Sequence, residues 1–215
     1  MKVIITGTSS GIGLAIAEKF LNEGHEVWGV DKAPAVIDLA NYTHITGDIR
    51  TISVDALPEP EILINNAGTL DEAEAINVNL TGTIRFTELM REAEPLRSVL
   101  FIASASARNG AEFPHYCASK AGLVAYMKNL ALALAKRGVT CNSISPGGVI
   151  TPANKHILES EKLYEAVKAE TLLGKWAEPD EIAELAYYLT VINRSITGED
   201  ILIDNGEMLK SNFIW

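Results

Sequence analysis

Cysteine is nearly absent from the 215-residue chain, which has only Cys117 and Cys141. Two thiols cannot build a disulfide scaffold or a four-ligand zinc site. The histidines, His25, His44, His115 and His156, have no metal-ligand spacing. Basic residues are scarce too: 18 Lys+Arg stand against 28 Asp+Glu, a formal net charge of −10. Such a chain repels nucleic-acid phosphates and anionic headgroups, so neither nucleic acid nor membrane is an expected partner. No apolar run approaches the ~18 residues of a membrane span. The start, Met1-Lys2-Val3-Ile4-Ile5-Thr6-Gly7, lacks a signal-peptide apolar region, so the expected compartment is the cytoplasm. What the chain does have is a core: 47% hydrophobic residues against 21% charged excludes a disordered tail.

Apolar runs and helical stripes alternate along the chain. The β-branched run Val3-Ile4-Ile5 precedes a Gly/Ser-rich loop, and Ile12, Ala15, Ile16 and Phe20 then share a helical face up to Gly24. Further strands are predicted at 27–30, 43–47, 61–65, 98–104, 139–145 and 200–204. Long helices are predicted over 72–93, 114–137 and 178–190, the last with Pro179 just inside its start. Strands alternating with helices require crossover connections and hence a parallel sheet. The predicted fold is a doubly wound α/β sheet of the Rossmann type, with about seven strands in three layers. Nothing resembling a linker or repeat divides the chain, so residues 1–215 are read as one domain.

The loop Thr6-Gly7-Thr8-Ser9-Ser10-Gly11-Ile12-Gly13 joins the first strand to the first helix. Glycines there let the backbone approach a pyrophosphate, and the helix start offers free N–H groups. Its spacing is G-x-x-x-G-x-G, and no Gly-Lys-Ser/Thr follows as in a P-loop. Taken alone it is also compatible with an ordinary strand–helix turn. Asp31 ends the second strand, 18 residues after Gly13. That is close to the ~20-residue offset at which an acid meets an adenosine ribose. A carboxylate there accepts from the ribose hydroxyls and repels a 2′-phosphate, although Lys32 is a contrary charge.

Four more segments occur in a telling order: Asn65-Asn66-Ala67-Gly68, Asn77-Val78-Asn79-Leu80, Tyr116-Cys117-Ala118-Ser119-Lys120, and Pro146-Gly147-Gly148-Val149-Ile150-Thr151-Pro152. With the glycine loop, and an ending at Thr197-Gly198-Glu199-Asp200, they cover nearly the whole chain. In that order they resemble the short-chain dehydrogenases/reductases, of which this chain is an unusually short example. The resemblance implies that Tyr116 is the catalytic acid/base, Lys120 its partner, Ser104 the ligand of the substrate oxygen, and Asn79 the holder of a relay water. It further implies a pyrophosphate lined by Gly7, Ser9, Ser10, Ile12 and Gly13, a ribose on Asp31, and an adenine beside Asp48 and Ile49. Asn66, Ala67 and Gly68 would pass beneath the cofactor ribose. Pro146, Val149 and Thr151 would hold the nicotinamide end, which Tyr116 and Lys120 also contact. NAD(H) is preferred over NADP(H) on this reading. The function implied is an NAD(P)-dependent alcohol dehydrogenase/carbonyl reductase acting on a small-molecule alcohol or ketone. A 3-oxoacyl-carrier-protein reductase and a non-catalytic dinucleotide sensor are the alternatives.

The chemistry of these residues agrees. Tyr116 and Lys120 are four apart and share a helix face. A free phenol ionises near pH ~10, and an adjacent ammonium lowers that value into working range. Outside this constellation such a pair is an ordinary surface feature. Ser104 follows the apolar strand Val99-Leu100-Phe101-Ile102-Ala103, with Ser106 as a competing choice. Asn79 is equally readable as a local backbone partner, and Cys117 as a buried small residue. Three regions are trimmed relative to the family: between Asp31 and Asp48, between Arg50 and Ile62, and between Gly68 and Asn79. The last would open the substrate side of the cleft. The mixed-charge run from Lys155 to Lys175, with Ile157, Leu158, Leu163, Tyr164 and Trp176, is read as a substrate loop on a solvated helical face. Glu207 stands where the family often has a second glycine. Arg85, Arg91 and Arg97 are a candidate basic patch. The apolar stripe Leu123, Met127, Leu130 and Leu134 is wider than one sheet face needs, so a homo-oligomer, tetramer or dimer, is expected.

Overall fold

A computed structural model describes residues 1–111 and 113–210. Seven strands form one parallel sheet: β1 (Lys2–Thr6), β2 (Glu26–Asp31), β3 (Tyr42–Thr46), β4 (Ile62–Asn65), β5 (Ser98–Ile102), β6 (Thr140–Pro146) and β7 (Asp200–Ile203). Their spatial order is β3-β2-β1-β4-β5-β6-β7. The central strands are covered on both faces, and therefore read as continuous apolar runs rather than alternating ones. Val3, Ile4, Ile5, Ile62, Leu63 and Ile64 are all fully buried. The chain winds one way from β1 to β3, returns to β4 beside β1, and winds the other way to β7. Loops leaving β1 and β4 therefore part in opposite directions and open a crevice at the strands' carboxyl ends.

Helices α1 (Gly11–Asn22) and α7 (Pro179–Tyr187) cover one face, while α2 (Thr83–Met90) and α4 (Pro114–Leu134) cover the other. On α1, Ile16, Phe20 and Leu21 meet Val3, Ile5 and Val27 of the sheet. Burying each large apolar side chain of this kind contributes about 1.5–3 kcal/mol. A reciprocal capping box starts α7: Glu181 accepts from the Glu178 amide at 2.8 Å, just outside Pro179. On α4, Leu123, Met127, Leu130 and Leu134 are only 0 to 2% exposed, packed against the second core with Leu63 and Phe101. That stripe is internal core, and the width that suggested an oligomer face is absorbed by the sheet.

All seven expected strands are present, with β5 ending at Ile102 rather than 104. The helix predicted over 72–93 differs. Its first turn is replaced by a local turn in which the Asp71 carboxylate accepts from the Ala73 amide and its carbonyl from Glu74. Such short Asp bonds compete with helix. A wide π-helical stretch, Ile76–Gly82, then leads into α2, which ends at Met90. Residues 32–41 cross from β2 to β3 without a helix, as the short spacing required. Short helices α3 (Ser106–Asn109), α5 (Lys155–Leu158) and α6 (Glu161–Ala169) flank the crevice. Among the described residues, no helix is long and apolar enough to cross a membrane, and no His/Cys/Asp/Glu group could hold a metal ion.

Candidate active site

At the crevice the glycine loop turns on Gly7 (φ +78°) and Gly11 (φ +56°), conformations that favour glycine. Thr6 Oγ1 accepts from the amides of Asn66 and Ala67 at 3.0 Å each. Asn66 Nδ2 donates back to the carbonyls of Thr6 and Gly7. The ends of β1 and β4 are thus stitched together under the opening. A Cβ on Gly13 would lie 2.0 Å from the Gly7 carbonyl oxygen. Gly13 therefore serves the close packing of α1 on β1, and it does not line the cleft. Ser9 does not line it either: its hydroxyl donates to the Pro34 carbonyl at 2.9 Å. Gly7, Ser10 and Ile12 do line it.

Asp31 closes this end. Its Oδ2 accepts from the Ser9 amide and its Oδ1 from the Ala33 amide, both at 2.9 Å. Each carboxylate oxygen keeps acceptor capacity toward the cleft. Asp48 and Ile49 line the same end. The Asp48 carboxylate is gripped by Arg50, with Nη2 at 2.7 Å and Nε at 3.0 and 3.1 Å. The guanidinium holds the Asp48 carboxyl down, at about 2. Arg50 also reaches Glu74 at 2.6 Å, and Lys32 Nζ lies 3.8 Å from Asp48. Lys32, the contrary charge of the sequence, is drawn to Asp48.

At the other end, α4 brings Tyr116 and Lys120 into the cleft beside Ser104. Lys120 is 6% exposed, its Nζ donating to the Ile102 carbonyl at 2.9 Å and lying 5.7 Å from the Tyr116 ring centroid. Burial pushes its ammonium down to about 8. Ser104 and Ser106 both line the cleft and are hydrogen-bonded to each other. Ser106 is buried, and its hydroxyl donates to Ser104 Oγ at 2.8 Å, which leaves the Ser104 proton to point elsewhere. Asn79, 1% exposed within the π-helical stretch, is a local clamp: Oδ1 accepts from the Thr69 amide, and Nδ2 donates to the Thr69 carbonyl and Ser119 Oγ. Wide π turns recur at functional sites. Here the turn carries Asn79 to within reach of α4.

Asn66, Ala67, Gly68, Pro146, Val149 and Thr151 line the middle of the cleft. Ile157 and Trp176 of the expected substrate loop line it, whereas Leu158, Leu163 and Tyr164 do not. A Cβ on Gly148 would fall 2.2 Å from the Trp176 ring, so that glycine admits the indole to the wall. Asn109, Phe113, Glu170 and Met208, which no sequence motif marks, also line the cleft. Their only sequence signal is proximity to motifs, because separate loops bring them in. Cys117 is buried, and His115 is exposed and turned to Glu72. Of the candidate basic patch, Arg91 is paired with Glu88 and Glu92, Arg85 donates to the carbonyls of Ile49 and Ile52, and Arg97 donates to Met1 Sδ.

The cleft measures about 1690 Å³. That exceeds the ~300–1,000 Å³ of a single drug-sized site. It suits an extended ligand with a small co-substrate at the Tyr116 end. A glycine corner too tight for Cβ atoms, a helix N-terminus and the cleft-lining Asp31 carboxylate fit a dinucleotide.

Comparisons with known proteins agree. A family model described as enoyl-(acyl carrier protein) reductase matches residues 59–207. The chain is 32% identical to the short chain dehydrogenase adrF of Penicillium roqueforti, covering 94% of this chain and 95% of that one. The aldohexose dehydrogenase structure from Thermoplasma acidophilum superposes with a TM-score of 0.90 at 25% identity, over 100% of this chain and 96% of that one. A 4-hydroxyisoleucine dehydrogenase mutant complexed with NADH and succinate gives 0.87 at 25% identity, over 99% and 100%.

Proposed function

The chain belongs to the short-chain dehydrogenase/reductase family of oxidoreductases, and on that premise we propose that it interconverts a secondary alcohol and a ketone with NAD(H), using Tyr116 as the acid/base. The observation that carries this reading is the buried Lys120 ammonium beside the Tyr116 ring, in a cleft that also holds Ser104. A nicotinamide dinucleotide, when bound, supplies or accepts the hydride. Gly7, Ser10 and Ile12 would hold its pyrophosphate, Asp31 its adenosine ribose, and Pro146, Val149 and Thr151 its nicotinamide end.

The protein's part is to bind, orient and move one proton. Ser104, already accepting from Ser106, donates to the substrate oxygen. Tyr116 gives its phenolic proton to that oxygen in reduction and takes it back in oxidation. Lys120, whose ammonium persists below about pH 8, favours the phenolate that remains. Its bond to the Ile102 carbonyl fixes where that charge sits. Asp31 supports NAD(H) over NADP(H), since a 2′-phosphate would meet a carboxylate and Lys32 is engaged with Asp48.

The lining supports an organic substrate that is not highly charged, and least of all an anion: Phe113, Ile157, Trp176 and Met208 share it with Glu170 and Glu207. The net charge of −10 and the Asp31 carboxylate weaken the carrier-protein alternative, and the coexistence of Tyr116 with Lys120 weakens a sensor. The proposal includes a cytoplasmic homo-oligomer, dimer or tetramer, supported by Leu132, 79% exposed on α4. Light scattering at micromolar concentration checks this, and a monomer mass refutes it. The activity test follows absorbance at 340 nm with NADH and NADPH against ketones, 3-oxoacyl thioesters, sugars and steroids. Turnover of a simple ketone or sugar with NADH is expected. Turnover of thioesters alone shifts the assignment to carrier-linked substrates, and none at all favours the sensor.

A further inference from the structure

Helix α4 begins badly for a helix that presents a reacting group. Its N-cap is Phe113, which has no side-chain oxygen, and its first residue is Pro114, which has no N–H. The Cys117 amide is served by the Phe113 carbonyl. The amides of His115 and Tyr116 are the two donors that need an acceptor from elsewhere. Glu72 supplies it. Its Oε2 accepts from the His115 amide at 3.1 Å and its Oε1 from the Tyr116 amide at 3.0 Å, across more than forty residues of sequence. The His115 ring reinforces the grip, with Nδ1 3.1 Å from the Glu72 carbonyl and 3.4 Å from Oε2. A carboxylate is also the favoured charge at a helix start.

Glu72 is itself held. Thr69 is clamped at both main-chain groups by Asn79, Thr69 Oγ1 accepts from the Asp71 amide, and Asp71 turns the chain through Ala73 and Glu74. The same Asn79 donates to Ser119 Oγ, whose hydroxyl donates to the Tyr116 carbonyl at 2.7 Å. Both main-chain polar groups of Tyr116 are thereby tied to one short segment, 69–79.

We propose that Glu72 is a positioning residue for Tyr116, capping α4 from the adjoining 69–79 segment and setting the height at which the phenol stands against the substrate oxygen. This rests on the reading of Tyr116 as the acid/base. It also gives the trimmed Gly68–Asn79 region a purpose: where the chain has no room for a helix, a single carboxylate joins the cleft's wall to its reacting helix.

The test uses the full chain with Glu72→Ala and Glu72→Gln, and Tyr116→Phe as reference. Hydrogen–deuterium exchange is read by mass spectrometry on the peptide spanning 113–119, and kinetics with NADH and the best carbonyl of the panel. Expected are faster exchange at the start of α4 in Glu72→Ala and a fall in kcat of about tenfold or more, since small misplacements cost rate heavily. KM for NADH should stay within about twofold on the same grounds, because only the uniform part of binding would move it. Glu72→Gln keeps one acceptor and the shape, so it should fall between wild type and Glu72→Ala. Unchanged exchange, unchanged kcat, or a KM rise in place of a kcat loss each overturns the proposal. If Glu72→Ala fails to fold, Glu72→Gln decides by the same readouts. Failure of the parent reading is separable: it shows as a Tyr116→Phe variant that keeps its rate, or as wild type without turnover.

Discussion

The two ends of the cleft are built differently. At the glycine-loop end, main chain and missing side chains do the positioning: Gly7 and Gly11 turn the loop, Gly13 lets α1 touch β1, and the Ser9 and Ala33 amides orient Asp31. At the Tyr116 end, side chains reach across the fold: Glu72 to the start of α4, Asn79 to Ser119, and Lys120 to the Ile102 carbonyl. An end made of backbone tolerates exchange of neighbouring side chains but not an added Cβ. An end made of clamps depends on single polar atoms, whose loss leaves buried groups unpaired. Cofactor choice should therefore respond to one surface-facing acid, and rate to several buried contacts.

The largest break in that comparison comes from Tyr116→Phe. The ring still packs while the proton donor is gone, and general acid/base groups supply about 10²–10⁴-fold. kcat should fall by that factor with NADH affinity, read by fluorescence titration, nearly unchanged. Retention of more than about a tenth of the rate would contradict the acid/base role.

Next is the buried Lys120 ammonium. The unfolded chain keeps this proton up to the ordinary lysine value of 10.5, whereas the folded chain loses it near 8. Between those values the unfolded state binds more protons, so Lys120 makes stability rise with pH across that window. The shift corresponds to about 3 kcal/mol. Cys141, pushed up to about 12 by burial, works in the opposite direction above its ordinary value of 9.0, and is common to both proteins. Urea midpoints of wild type minus Lys120→Met, taken from pH 7 to pH 10, isolate the lysine. The difference should climb in wild type's favour with pH; a flat difference would show that the ammonium is not desolvated.

The smallest effect sharpens the glycine-loop end. Wild type should prefer NADH by roughly 10- to 150-fold in kcat/KM, equivalent to ~1.4–3 kcal/mol. The lower part of that range is expected, because Lys32 is exposed and its pairing with Asp48, at 3.8 Å, is long enough for the ammonium to swing toward a 2′-phosphate. Asp31→Ser should narrow the ratio, chiefly through KM for NADPH. An NADPH preference in wild type, or an unchanged ratio in the variant, would remove Asp31 from the ribose.

Much of this architecture was legible in the chain. The strands at Val3–Ile5 and Ile62–Ile64 are unbroken apolar runs, and the α1 stripe has a clean helical period. Local propensity and burial point the same way there. The helix over 72–93 was overdrawn because composition alone does not reveal that Asp71 bonds its own neighbours. The stripe on α4 is apolar as its period indicates and packs on the second core, since periodicity states that a face is buried but not by what.

Sequence by itself determined the alternation of strands and helices, the glycine corner and the Tyr116–Lys120 spacing, because each depends on contacts within one strand–helix unit or on four residues of one helix. Only the tertiary structure decided that Gly13 packs against the Gly7 carbonyl, that Ser106 donates to Ser104, that Asn79 is clamped to Thr69, and that Glu72 caps α4. Those four depend on which atoms of separate segments meet, and in a polar network the orientation of each donor is set by partners that lie tens of residues away.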